Sequence, residues 1–196
     1  CGLIGVRHID AILKSKRACC TGVLATGNES SKKFCAKRGL EYFTNENHFF
    51  RTKFDAIIIA SPNELHLKHL VLCAYYDIPV LIEKPVIAAH QSITTLDNIN
   101  KSYLKKQVLA GHHRHHHPYI AEVKKLIKNG TLGRIVAING KATFYKPEAY
   151  FQAGEWRRQY GSGGVGLINL VHEIGLMRYL MGEIKEIKSF SSNLIR

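Results

Sequence analysis

The chain has 196 residues, 45% of them hydrophobic and 22% charged, values that suit one large globular domain or a domain and part of another. No apolar run approaches the roughly 20 residues that cross a bilayer, and the five cysteines form no CxxC pair, which argues against a disulfide framework or zinc ribbon and for a reducing, cytoplasmic setting. The formal charge of +13 would suit a polyanion, yet the basic residues are scattered over segments with helical apolar spacing, so solvated faces are the better reading and neither nucleic acid nor membrane is expected as a partner.

The chain opens on Gly2 and Gly5, followed by a helical pattern over residues 6–14 with Ile9, Ile12 and Leu13 apolar. Two glycines at this spacing are the last two of a G-x-G-x-x-G turn, in which one lets backbone approach a pyrophosphate and another lets the helix pack on its strand. The first glycine and the strand before it are missing, so the chain reads as starting inside a dinucleotide-binding turn. A second strand is expected over 20–25 and a helix over 30–38. A NAD-preferring site usually carries an acid at the end of that strand; here the place holds Thr26, Gly27 and Asn28, with Lys32 and Lys33 beyond. That composition permits NADP as well as NAD.

Residues 54–60 form the clearest buried strand, leading into Ser61, Pro62 and Asn63. Leu67, Leu70, Val71 and Ala74 then follow helical spacing over 64–76, with Asn63 as the expected N-cap and His66 in the first turn. The short apolar run from Val80 ends abruptly in Glu83, Lys84 and Pro85. Proline stops a ladder and biases the residue before it to extended backbone, so Glu83 and Lys84 belong at the carboxyl end of a strand. Ligands of open α/β sheets bind at that edge. Taken alone, the pair fits a site or an ordinary solvated strand end equally well. Alternation of strand and helix predicts right-handed βαβ units and a parallel sheet.

A helix over 92–103 and a strand over 108–110 come next, ending in His112, His113, Arg114, His115, His116 and His117. Consecutive histidines point in different directions, whereas a metal site needs convergent ligands. No metal is therefore assigned, and Arg114 with some of these histidines is expected to face the cofactor or substrate crevice. A helix starts at Pro118, and residues 135–145 switch to period 2, as in a half-exposed antiparallel strand. The change of pattern near residue 115 marks a domain boundary, dividing the chain into 1–112 and 113–196. Residues 150–160 are polar and aromatic, with Trp156 and Arg157. A glycine loop precedes an apolar helix over 167–181 carrying His172 beside Asn169, and a last strand is expected over 184–190. On its own a histidine on such a helix reads more readily as a packing residue.

In order, Gly2 and Gly5 with His8, the strand leading to Ser61, Asn63 and His66, Glu83-Lys84-Pro85, Arg114 with Pro118, residues 130–133, and Trp156 with the glycine loop and His172 make a set spanning essentially the whole chain. This set resembles the glucose-fructose oxidoreductase / inositol dehydrogenase / rhizopine catabolism (Gfo/Idh/MocA) family. The resemblance implies an α/β protein: a Rossmann-type parallel-sheet domain joined to an α/β domain with an open, mostly antiparallel sheet, here truncated at both ends. It implies oxidation or reduction of a secondary alcohol or carbonyl on a sugar, inositol or related polyol with NAD or NADP, in a dimer or tetramer. It places Gly2 and Gly5 at the pyrophosphate; Ser61, Asn63 and His66 beside the adenosine and nicotinamide; Glu83 at the nicotinamide; and Thr26, Arg114, Trp156 and Arg157 on the cofactor. Lys84 would reach the reacting oxygen, Asn169 would bind substrate, and His172 would be the general acid/base. The chemistry is coherent, since a hydride leaves a carbinol only as its proton is taken, a near-neutral histidine suits that proton, and an ammonium stabilises the developing oxyanion. Departures are Ile168 and Gly175 where many members carry acids, and Thr26 at the second-strand end. They leave open a non-catalytic NAD(P)-binding sensor or scaffold of the same fold.

Overall fold

The computed structural model describes residues 2–88, 91, 93–152, 154, 157–159, 163–164, 166–190 and 192. Helix α1 (Leu3–Lys14) leads to strand β1 (Gly22–Leu24), helix α2 (Glu29–Lys37), strand β2 (Glu41–Phe43) and helix α3 (Glu46–Arg51). Strand β3 (Ile57–Ile59), helix α4 (Asn63–Tyr75) and strand β4 (Val80–Ile82) follow, then helices α5 (Thr94–Asp97) and α6 (Lys101–Gln107) and strand β5 (Val108–Ala110). A 3₁₀ turn (His113–His116), helix α7 (Pro118–Lys128), helix α8 (Glu148–Gln152), a π-helical turn (Gly166–Leu170) and helix α9 (Val171–Met181) complete the described elements.

Among the described residues the strand pairs are all parallel, as the strand–helix alternation predicts, but they form two sheets, β1-β2 and β3-β4-β5. In the classic doubly wound order 3-2-1-4-5-6 the first strand lies between the second and the fourth. With β1 counted as the second strand, the break between the sheets falls at that place. The apolar runs of β3 and β4 have both ends buried, Ile57 and Ile59 facing the same core as Val80 and Ile82. Helix α4 lays Leu70 and Cys73 on that core, and Phe43, Phe49, Phe50 and Tyr103 extend it around both sheets. Burying a side chain of this size contributes about 1.5–3 kcal/mol. A smaller cluster of Ile9, Cys35 and Leu40 joins α1 and α2 to the β1-β2 sheet.

Several expectations need correction. Asn63 is the first residue of α4, and Pro62, in extended backbone, takes the cap position without a side-chain bond. The single helix expected over 92–103 is broken because the Asn100 side chain accepts the amides of Ser102 and Tyr103 at 2.8 and 3.3 Å and starts a new helix there. The apolar segment 167–181 is likewise a π turn followed by α9. No strand forms over the described residues of 135–145 or 184–190, where an open, mostly antiparallel sheet was expected. Alternation encodes two faces but supplies no ladder partner, and side chains such as Val136 (87% exposed) and Phe190 remain in solvent.

Candidate active site

Parallel strands bring their carboxyl ends to one edge, so Ser61 and Asn63 after β3, Glu83 and Lys84 after β4, and Gly111 and His112 after β5 are neighbours. The amino ends of α1 and α4 carry no side-chain cap. Gly2 caps α1 in extended backbone, and a Cβ there would meet no atom within 4 Å. Uncapped amides facing open space fit a phosphate-bearing group. Gly5 faces Ala60, to which an added Cβ would come within 4.0 Å, so α1 packs close to the end of β3.

His66 is 1% exposed and bridges this edge from within. Its Nδ1 lies 2.6 Å from Pro85 O and its Nε2 2.9 Å from Ser61 O, tying together the chain segments after β3 and β4. Burial pushes its pKa down while the two carbonyls push it up, and the net direction is down. Ser61 Oγ lies 3.1 Å from His69 Nδ1, and His69 Nε2 lies 3.4 Å from Glu46 Oε1.

The acid–base pair after β4 is held on three sides. His8 Nε2 is 2.9 Å from Glu83 Oε1, and the Lys84 amide donates to Glu83 Oε2 at 3.3 Å. Lys84 Nζ donates to Ile168 O at 2.7 Å, across 84 residues of sequence. Burial raises the Glu83 pKa, but the His8 hydrogen bond and charge, the Lys84 amide and the Lys84 charge outweigh it, and the carboxyl titrates below its ordinary range. Burial lowers the Lys84 pKa, Glu83 opposes that, and the charges of Arg114 and Lys146 add to it.

Ile168 lies in the π turn, and π-helical turns recur at functional sites because they release backbone groups from the regular ladder. One helical turn further on is His172. Its pKa is lowered to about 4, first by burial, then by the charges of Lys84, His113, Arg114 and His112. The sequence suggested a near-neutral histidine; burial, with the surrounding charges, makes it neutral over a wider range. Its Nδ1 is buried with no hydrogen-bond partner among the described residues, and its ring meets His113 edge-on at 4.8 Å between centroids. Arg114 pairs with Glu173 on the next residue of α9. His115 Nε2 donates to Gly175 O at 3.0 Å and stacks on Tyr179. Gly175 leaves room for His112, whose Nδ1 an added Cβ would approach to 2.8 Å. The histidine run thus packs on α9, and among the described residues no histidine, cysteine and carboxylate group is arranged to hold a metal ion.

The structure therefore gathers Ser61, Asn63, Glu83, Lys84, Arg114 and His172 at one edge, with His66 beneath it. Asn169 is half-buried in the π turn, and Thr26 lies apart, in the exposed turn after β1, where its Oγ1 accepts from Asn28 Nδ2 at 3.4 Å. Arg157 stacks over Tyr150, which Lys146 also covers; Trp156 lies outside the described residues. His8 as the partner of Glu83, Glu173 as the partner of Arg114 and the Ile168 carbonyl were not expected as site groups. His8 lies three residues after Gly5, on the α1 face turned to the sheet edge, which was the available signal. An open groove of about 630 Å³ runs along His113, Arg114, Tyr119, Ile120 and Leu176, and neither Lys84 nor His172 lines it.

Comparison with known proteins adds the following. Residues 1–112 match a family model described as "Oxidoreductase family, NAD-binding Rossmann fold", and residues 120–196 match "GFO/IDH/MocA C-terminal domain". The 2,7-anhydro-N-acetylneuraminate hydratase of Escherichia coli is 26% identical over 67% of this chain and 35% of its own length. The myo-inositol 2-dehydrogenase of Thermotoga maritima is 22% identical over 99% of this chain and 57% of its own length. Among solved structures, the WlbA dehydrogenase of Bordetella pertussis, in complex with NADH and UDP-GlcNAcA, superposes with a TM-score of 0.82 at 23% identity, covering 93% of this chain and 53% of that one. The chain thus spans about a third to somewhat over half of these relatives. At that identity the structural likeness establishes the fold.

Proposed function

We propose that this chain, which belongs to the GFO/IDH/MocA oxidoreductase family, is the cofactor domain and the beginning of the substrate domain of a cytoplasmic NAD(P)-dependent oxidoreductase acting on a secondary alcohol or carbonyl of a sugar, inositol or related polyol. Residues 1–112 take the cofactor and 113–196 begin the substrate side. One observation carries the reading: the Lys84 ammonium is directed from the end of β4 to the Ile168 carbonyl, one helical turn before His172. A bound nicotinamide dinucleotide supplies the hydride acceptor or donor. Gly2, Gly5 and the uncapped amides of α1 hold its phosphates, and Ser61, Asn63 and Glu83 border it.

Lys84 and His172 divide the proton work. Lys84 stays at the oxygen and stabilises negative charge as it develops there. His172 is neutral at pH 7 and receives the hydroxyl proton on its imidazole. A ring with so low a pKa is a weak base, so the ammonium must acidify the hydroxyl first. Asn169 hydrogen-bonds the substrate. Copies of the chain associate as dimers or tetramers through the apolar side chains left exposed along residues 134–147; light scattering that finds monomer alone contradicts this.

The test is a fluorescence titration with NADH and NADPH followed by turnover in a screen of polyols and sugars. Saturable binding is expected, and Lys84→Ala and His172→Ala each lower kcat/KM by about a hundredfold or more. An absence of binding removes the reading altogether. Binding without turnover selects the sensor or scaffold, which the replacement of a family acid by Ile168 favours. Full activity in His172→Ala removes His172 from the proton step.

A further inference from the structure

We infer that His8 is a positioning residue: by holding the Glu83 carboxylate it fixes the backbone of Lys84, and so couples the cofactor-side helix α1 to the placement of the catalytic ammonium. The inference rests on the proposed role of Lys84 for its catalytic consequence, but not for its geometry.

The contacts form a continuous chain. His8 Nε2 lies 2.9 Å from Glu83 Oε1, and the other carboxylate oxygen accepts the Lys84 amide at 3.3 Å. The two side chains are 25% and 18% exposed, so the bond is shielded enough to matter. On the far side of the carboxylate stands Gly111, where a Cβ would come within 3.2 Å of Glu83 Cδ and Oε2 and 3.3 Å of its Cα. Glu83 is therefore confined between a donor on α1 and a bare backbone after β5. The result is a carboxylate with one orientation, one oxygen on each neighbour. Because Glu83 precedes Lys84 directly, a carboxylate that swings out of this slot releases the Lys84 amide and lets the strand end, with its ammonium, drift from Ile168 O. His8 lies three residues past Gly5, in the helix whose amino end receives the phosphates, so any tilt of α1 on binding is transmitted along the same bond. A displacement of about 1 Å at a catalytic group is enough to lower turnover by about a hundredfold.

The experiment compares the chain with His8→Leu and His8→Ala, which remove the donor with and without the bulk, and with His8→Gln, whose amide reaches about the position of the imidazole Nε2. The first readout is the Lys84 amide resonance in ¹H–¹⁵N spectra, which needs neither cofactor nor turnover. In His8→Leu and His8→Ala it moves upfield and exchanges faster as its acceptor is lost; in His8→Gln it stays near the wild-type position. The second readout is kinetic: kcat falls about tenfold in the donor-free variants while KM for the polyol and the NADH affinity change by less than about twofold, and His8→Gln restores kcat. On a Glu83→Gln background His8→Leu has no further effect on the resonance, as expected for two groups acting as one unit. An unmoved Lys84 amide in both donor-free variants, or an equal loss in His8→Gln, overturns the inference. If wild-type chain shows no turnover, or Lys84→Ala keeps it, the proposed function fails instead, and the resonance alone decides the role of His8.

Discussion

At the level of single residues, the site is governed by who carries charge. Around His172 stand Lys84, His113, Arg114 and His112, and burial comes before any of them in lowering its pKa from 6.5 to about 4. An unfolded chain returns this ring to its ordinary value, so between those two pH values the unfolded state binds a proton that the folded state refuses. Stability therefore falls as pH drops from about 6.5 toward 4 and is fully retained above that window. His66, His69 and His112 are shifted in the same direction, each with burial as the first cause, and add to the same acid-side loss. Urea midpoints at pH 7 and pH 5 are expected to show a clear drop in wild type and a smaller one in His172→Gln, which removes this buried imidazole. An equal drop in both proteins would mean that His172 is not the buried neutral ring described. In the proposed proton step the same shift widens the pH range over which the imidazole can accept a proton.

At the level of elements, capping decides where the cofactor-side turns begin and end. Asn28 Oδ1 accepts the Ser31 amide at 2.7 Å and starts α2, after a turn in which Gly27 has φ of +84°, a backbone region that a Cβ penalises. Asn28→Ala is expected to cost about 1 kcal/mol of unfolding free energy. A denaturation curve superimposable on wild type would show that α2 needs no such cap. The same elements show what could be read from sequence. Strands β3 and β4 and helix α4 were legible because their apolar residues are local and periodic: Ile57 to Ile59, Val80 to Ile82, and Leu67, Leu70 and Ala74. The charged end of β4 was legible because Pro85 marks it. Strand β2 and helix α3 were missed, since three residues from Glu41 hold no period and the pair Phe49 and Phe50 reveals its burial only in the assembled core. The π turn was hidden inside an apolar run that any helix would accept. His8 and Glu83 are separated by 75 residues, a distance across which spacing carries no information. The antiparallel strands were over-read, because an alternating face is necessary for a half-buried strand but does not provide the neighbour it must bond to.

At the level of the whole molecule, the core is unevenly distributed. Among the described residues, every buried hydrophobic side chain except Leu180 lies at or before Tyr103. The later part is tied to the earlier by the polar contact of Lys84 to Ile168 O, while Arg114 to Glu173 and His115 to Gly175 O brace the later part within itself. Local opening costs least where few apolar contacts are broken, so the two parts should not open with equal ease. Residues 134–147 combine exposed backbone free of ladder bonds with Arg134 and Lys141 as tryptic sites, whereas Arg51 and Lys53 lie in sequence between and beside Phe49, Phe50 and Phe54, whose rings pack on one another. Brief digestion with trypsin is therefore expected to cut first within 134–147 and to leave a resistant fragment carrying both parallel sheets, identifiable by mass. Hydrogen exchange should rank the same way, with amides of β3 and β4 slowest and those of 134–147 fastest. First cleavage at Arg51 or Lys53 would contradict this ordering and would mean that the polar contacts of the later part resist opening better than the apolar core of the sheets. The expected order has a functional corollary: saturating nicotinamide dinucleotide protects a folded cofactor side by mass action, so it should slow exchange around α1 and β4 while leaving the first tryptic cut in place.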